Sequence, residues 1–388
     1  MYMRRVLAAG TAATVLAVAV AGGAASAAPA TPDRSTAAVL RQGLDDLHNL
    51  GITGVAGMVR DGNRVVQARS GVSDVDSRRP MPADGSFRIG SDTKTFVSVV
   101  LLQLVGEGRI GLDDPIERWL PGVVDGNGNN GQLVTVREVL QHTSGIYNYT
   151  NDLAVLQTQD GYLAHRYDHY TEAELVAIAM QHAPLFAPGT AWSYTNTDYI
   201  IAGMLVQAVT GHGWATEVRS RILVPLGLRH TGYPADRPTL PRPHAEAYQQ
   251  FGPGPLVDVT DVDATVADAA GGMVSTASDL TRFWQALQRG QLLRPQQMAQ
   301  LHQTVLATQF QGLRSGVAYG LGIMWIPNRC GGYWAHWGGV PGTSTLNGVT
   351  PDGRRAVVWY ETTVLRDPVA SQAVTARDIA LLDDLICG

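Results

Sequence analysis

The sequence predicts an α+β fold in which one antiparallel sheet is built from the two ends of the chain, flanked by the N- and C-terminal helices, with an all-helical lobe inserted between. Three observations carry this. Strand-period segments cluster before residue 90 and after residue 318, and the stretch between carries helical signal broken by Pro and Gly. An apolar run, Phe96 to Val105, is too long and too uniformly hydrophobic for anything but a buried helix. The sheet lobe is expected over 34–90 and 290–388 and the helical lobe over 91–289, as one catalytic unit of roughly 355 residues whose 45% hydrophobic content can bury a large core.

The elements follow in order. Residues 1–27 read as a cleaved signal peptide: Arg4-Arg5, an apolar stretch from Val6 to Val20, then Ala25-Ser26-Ala27. An exported protein without a stable membrane anchor is therefore expected, since the stretch is short of the roughly 20 strongly apolar residues that span a bilayer. An amphipathic helix opens the mature chain between Ser35 and Asn49. Val55–Arg60 and Val65–Ser70 flank Asp61-Gly62-Asn63 and predict a hairpin. Phe87-Arg88-Ile89-Gly90 leads into the central helix, and Thr135 is placed to cap a short helix ending at Gln141. Helices are predicted at Ile200–Val209 and Ala277–Leu287. Strands follow at Tyr319–Ile326, Tyr333–Trp337, Thr343–Val349 and Arg355–Thr362, and a last helix at Val369–Ile386.

Composition narrows the function. Removing residues 1–27 would take away two arginines and no acid, lowering a net charge of −5 by two, so neither nucleic acid nor an anionic membrane is expected as partner. Cys330 and Cys387, an even count in an exported chain, read as a disulfide. Ten histidines show no H-E-x-x-H, and the nearest to ligand spacing, His165 and His169, fit a solvated face, so no metal is expected.

The chain contains 28 arginines and a single lysine, Lys94. Keeping lysine against that bias points to a task arginine cannot perform: a buried amine can lose its proton and act as a base, whereas guanidinium stays charged. Ser91 lies three residues earlier on the same helix face, within reach of the amine. Ser-x-x-Lys alone is a weak signal, about one being expected by chance in a chain this long. The uniformly apolar helix strengthens it, because a surface lysine does not belong there. Two further clusters supply polar groups. Tyr194 and Asn196 stand two residues apart in a loop just before a helix; a phenol beside an ammonium can have its pKa lowered and act as base then acid, and the amide can orient the lysine. Read alone, they are a core aromatic and a helix cap. His336-Trp337-Gly338-Gly339 ends a strand whose glycines could leave N–H groups open to a ligand.

Serine and lysine, then Y-x-N, then H-x-G, in this order, resemble the motif set of the penicillin-recognising serine hydrolases, the β-lactamase/transpeptidase-like family. The similarity is greatest to its secreted Streptomyces-type D-alanyl-D-alanine carboxypeptidase. It runs nearly the whole mature length, through FRIGSDTKTF, LLQLVGEGRIGLDD, TVREVLQHTSGI, YTND, WSYTNTDYIIAGML, AYGLGIMW and both cysteines. The resemblance implies a five-stranded antiparallel sheet and a helical lobe. It implies Ser91 as acyl-accepting nucleophile, Lys94 and Tyr194 as proton relay, Asn196 and His336 shaping the cleft, and the Ser91 and Gly339 amides as oxyanion hole. The substrate would be a small peptide, ester or β-lactam, with no cofactor and a monomeric enzyme. Two positions depart from the carboxypeptidase pattern. Trp337 and Met324 stand where a hydroxyl and an arginine grip a substrate carboxylate, so both are expected to line the cleft and to favour neutral substrates. Arg329 is a candidate to compensate. The expected activity is D-Ala-D-Ala carboxypeptidase-like, with an esterase, a D-residue peptidase or amidase, a class C-like β-lactamase and a non-turnover penicillin-binding sensor as alternatives.

Overall fold

A continuous apolar run before Gly62-Asn63 and a more polar, partly exposed segment after it fold into a hairpin of β1 (Gly54–Asp61) and β2 (Arg64–Gly71), in register from Gly54 opposite Gly71 to Asp61 opposite Arg64. The hairpin can turn tightly because Gly62 takes φ +57°, open to glycine at no steric cost. The computed structural model describes residues 35–388, which form one compact unit; the expected signal peptide lies outside the described residues. Helix α1 (Thr36–Asn49) starts where the Ser35 hydroxyl accepts from Ala38 N, and it buries Leu40, Leu44 and Leu47.

After the short strand β3 (Phe87–Arg88), α2 (Asp92–Gly106) runs through the molecule's centre with its sides covered. Helix α3 (Val136–Gln141) begins in a capping box: Thr135 accepts from Glu138 N and the Glu138 carboxylate accepts from Thr135 N. Helix α4 (Asn196–Thr210) ends at Gly211, whose φ of +78° closes it in the left-handed conformation. The segment β4 (Val274–Ser275), paired with β3, leads into α5 (Ala277–Gln288). The C-terminal part supplies β5 (Val305–Leu306), β6 (Ala318–Tyr319), β7 (Met324–Ile326), β8 (Tyr333–Ala335), β9 (Gly338–Val340), β10 (Thr343–Val349) and β11 (Arg355–Glu361), then α6 (Pro368–Cys387). None of the described helices is long and apolar enough to cross a membrane.

The sheet has the order β2-β1-β11-β10-β8-β7-β6-β5, with β9 also on β10. The first and last long strands, β1 and β11, pair side by side with Val55 opposite Glu361, which is why the N- and C-terminal parts of the described chain make one sheet. The expected α+β architecture is present, with two differences in detail. Tyr319–Ile326 is a hairpin and not one strand, because Gly322 at φ +82° turns the chain and sets Tyr319 opposite Met324. Nine segments replace the expected five, partly because β8 and β9 are one interrupted strand: Trp334 faces Val349 and Gly338 faces Thr345 in a single register.

Two apolar clusters sandwich the sheet. One face packs on α1 and α6 through Leu44, Leu47, Trp359 and Leu381; the other packs on the helical lobe through Met58, Phe96, Val358 and Phe283. Each such fully buried side chain contributes about 1.5–3 kcal/mol. The Cys330–Cys387 disulfide, with Cα atoms 5.6 Å apart, ties the approach to β8 to the end of α6.

Candidate active site

Gly90 turns the chain from β3 into α2 with φ +52°, and a Cβ there would lie 2.7 Å from Gly339 N. A Cβ on Gly338 would collide with the Ile89 carbonyl. Two glycines, Gly90 and Gly338, thus let the edge of β9 lie against the residue that begins α2, which brings Ser91 and Gly339 together from positions 248 residues apart in the sequence. Ser91 is the N-cap of α2, so its own N–H and the helix's partial positive end face whatever binds beside its hydroxyl.

Lys94, one turn into α2, is fully buried; its amine donates to Asn196 Oδ1 at 2.7 Å and the Ala270 carbonyl at 2.6 Å, and lies 3.0 Å from Ser91 Oγ, whose hydroxyl it can accept from when neutral. Burial pushes this amine well below its usual range; the Asp198 carboxyl opposes the shift. A neutral lysine in contact with a serine hydroxyl can take its proton. Tyr194 places its ring 4.9 Å from Lys94 Nζ. Its titration differs from the sequence-based expectation of a lowered phenol. Burial raises the Tyr194 pKa, and the Ser91 contact offsets this only in part, so the resting group is a phenol, able to donate first.

Asn196 begins α4 and is fixed from behind, its N–H donating to Asn148 Oδ1 at 3.0 Å. Asn148 and the Ala270 carbonyl carry no chemical signature in the sequence, the latter being backbone alone. Beneath Lys94 lies a buried polar layer that the motifs also left unmarked: Asp198 accepts from Ser144 Oγ at 2.6 Å and lies 3.0 Å from His142 Nδ1, while the His142 ring packs on Tyr194 at 4.5 Å.

His336 was expected in the cleft, and the structure sets it one layer behind. It is 1% exposed, with Nδ1 3.0 Å from the Trp337 carbonyl and Nε2 2.9 Å from Tyr319 OH, so both ring nitrogens are already engaged. Burial lowers its pKa to about 3, which leaves a neutral ring with Nδ1–H donating to Trp337 O and Nε2 accepting from the phenol. The strand is interrupted here because the Asn347 side chain enters the ladder. His336 N–H donates to Asn347 Oδ1 at 3.0 Å, and Asn347 Nδ2 donates to the His336 carbonyl and, at 2.6 Å, to Asp92 Oδ1. Since His336 N–H points toward β10, the two-residue alternation turns Gly339 N–H the other way, toward Ser91. Asp92 is itself buried, and burial raises its carboxyl well above the usual range as it bridges α2 to β10. A polar Asn in the otherwise apolar Leu346–Val349 stretch was the available sequence signal for this joint.

The two departures resolve differently. Met324 does not line the cleft: it is 3% exposed within the apolar cluster that the sheet shares with α1 and α6. Trp337 is half-buried, with its indole N–H donating to the Asn347 carbonyl at 3.3 Å. Arg329 does not compensate, because it pairs with Asp384 on α6 at 3.0 Å on the exposed side of the disulfide. Beside Ser91 opens a cavity of about 90 Å³, walled by Asn196, Tyr149, Val266, Ala270, Gly339 and Arg88, among others.

This fold and site define a serine hydrolase. The beta-lactamase family model matches residues 36–381, and the chain belongs to that family. Among solved structures it is similar to the D-stereospecific amidohydrolase from Streptomyces sp., at 40% identity and TM-score 0.81, covering 88% of this chain and 98% of that one. It is also similar to the D-amino acid amidase of Ochrobactrum anthropi SV3, solved with L-phenylalanine amide, at 26% identity and TM-score 0.75, covering 90% and 99%. Among curated relatives, the putative penicillin-binding protein PbpX of Bacillus subtilis is 26% identical over 314 residues, 81% of this chain and 71% of that protein.

Proposed function

We propose that this protein is a secreted serine amidohydrolase that cleaves amide or peptide bonds following a D-residue through an acyl-Ser91 intermediate. The carrying observation is the contact of a fully buried lysine amine with Ser91 Oγ at 3.0 Å. Ser91 Oγ attacks the substrate carbonyl carbon as its proton passes to Lys94 Nζ. The negative charge that develops on the carbonyl oxygen is held between the Ser91 and Gly339 N–H groups. The C–N bond breaks as Tyr194 gives its phenolic proton to the departing nitrogen, and Lys94 returns a proton to the phenolate. Water then attacks the ester carbonyl by the same route reversed, releasing the acid and restoring Ser91. The disulfide fits an oxidising compartment.

A D-Ala-D-Ala carboxypeptidase needs a grip on the free carboxylate of the leaving residue. Here Trp337 is a half-buried indole, Met324 a core side chain and Arg329 a surface arginine already paired. Together with the D-amidohydrolase and D-amidase neighbours, this favours a neutral leaving group. The test is kcat/KM for D-phenylalanine amide, L-phenylalanine amide and N-acetyl-D-Ala-D-Ala. The D-amide should lead both others by at least about tenfold, a difference of about 1.4 kcal/mol. Faster release of D-alanine from the dipeptide would restore the carboxypeptidase reading.

A further inference from the structure

The cavity beside Ser91 contains a charged group that the mechanism above does not use. Arg88 sits on β3, three residues before the serine, is 6% exposed and forms part of the cavity wall. Its Nη2 donates to the carbonyls of Pro238, Thr260 and Val262. Nε is buried without a hydrogen-bond partner, and Nη1 makes none among the described residues. No carboxylate lies within ion-pair distance of this guanidinium among the described residues, unlike the arginines that pair on the surface. Burial lowers its pKa only to about 10, so it is a cation at neutral pH. Asp263 also contributes to the wall, but its carboxylate is held by its own turn: Oδ1 accepts from Thr265 N and Oγ1 at 2.8 and 2.6 Å, and Oδ2 lies 3.4 Å from His169 Nδ1.

A buried cation with unused donors is costly unless an anion completes it. The remaining wall is mostly apolar and small-residue, and about 90 Å³ is well above the roughly 10–15 Å³ that admits one water. The acyl half of a substrate stays bonded to Ser91 while the leaving half must escape, so a pocket walled on several sides next to the serine suits the acyl half. We propose that Arg88 forms an anion-binding subsite in this cavity and that the enzyme favours acyl groups carrying a side-chain carboxylate, such as D-aspartyl. This rests on the D-amidohydrolase reading for the substrate's handedness, while the subsite itself rests on Arg88 and the cavity. Nη1, the donor left without a partner, can give such a carboxylate a charge-assisted hydrogen bond, stronger than a neutral side-chain amide can accept.

The experiment compares the α-p-nitroanilides of D-aspartate, D-asparagine and D-alanine on the wild-type protein. D-Asparagine is the neutral near-isostere, and the D-aspartyl substrate should exceed it by about tenfold or more in kcat/KM. Arg88→Gln should bring the D-aspartyl to D-asparaginyl ratio of kcat/KM down to about one. Because Arg88 also holds three carbonyls, that variant could fail to fold, so a second measurement uses only the wild type. N-acetyl-D-aspartate should slow fluorophosphonate labelling at concentrations about tenfold lower than N-acetyl-D-asparagine. Equal protection by the two, or a D-asparaginyl substrate as good as the D-aspartyl one, overturns the subsite. Failure to hydrolyse any of the three anilides counts against the D-amidohydrolase reading, and the labelling comparison then decides the subsite by itself.

Discussion

Replacing Lys94 by arginine separates proton acceptance from positive charge. In the native site the amine lies 2.6–3.0 Å from three oxygens, and arginine, with five donors, keeps some of these contacts. It has no lone pair with which to take the Ser91 proton, so the whole general-base contribution, about 10²–10⁴ in rate or roughly 2.7–5.4 kcal/mol, is lost. The larger side chain must also enter a fully buried position, adding about 1–3 kcal/mol of overpacking that acts on stability and not on chemistry. The assay is the second-order rate of fluorophosphonate labelling, followed by intact mass on protein whose fold is verified by circular dichroism. Lys94→Arg and Lys94→Met should both fall at least about 100-fold and by similar factors. If arginine labels within tenfold of wild type and methionine does not, the lysine supplies charge and not proton transfer, and the proposed relay is wrong.

Other expectations concern stability. Removing the Cys330–Cys387 disulfide, which closes a separation of 57 residues, should lower the unfolding free energy by about 4 kcal/mol in urea titration; an unchanged midpoint would show that α6 needs no tether. Glu361 on β11 and Asp378 on α6 are buried side by side. Burial holds Glu361 well above the carboxylate range and lifts Asp378 to about 7, and the neighbouring charge adds to the Glu361 shift. Both folded-state values exceed those of the unfolded chain, so the pair's contribution is fully present below about pH 4 and lost as pH rises through 7. Melting temperature should therefore drop between pH 5 and 8 more steeply in wild type than in Glu361→Gln, and parallel profiles would refute it. Met324→Arg places an unpaired cation in the apolar cluster and should cost on the order of 3–5 kcal/mol, against little change if the side chain reached the cleft.

Much of this architecture was legible because the determining signals are local. Hydrophobic period set α1, β1, β2, α5 and α6, and one lysine among 28 arginines marked the site. Tyr319–Ile326 misled because apolar composition does not distinguish a strand from a hairpin, and only the positive φ of Gly322 decides it. The role of His336 was hidden for another reason: its ring is engaged by Tyr319 and by its own strand, contacts that depend on three-dimensional register. Met324 illustrates the limit of reading by resemblance. A position that lines a cleft in one relative can point into the core here, since one residue's shift along a strand changes the face it presents. Arg88 stands in the most recognisable segment of the chain, yet nothing in the sequence marks an arginine as buried.

The most direct test of the central claim is intact-mass spectrometry of protein quenched within milliseconds of mixing with D-phenylalanine p-nitroanilide, followed by peptide mapping. The account predicts a D-phenylalanyl ester on Ser91, absent in Ser91→Ala and much weaker with the L-enantiomer. An adduct on any other residue, or turnover that persists in Ser91→Ala, would contradict it.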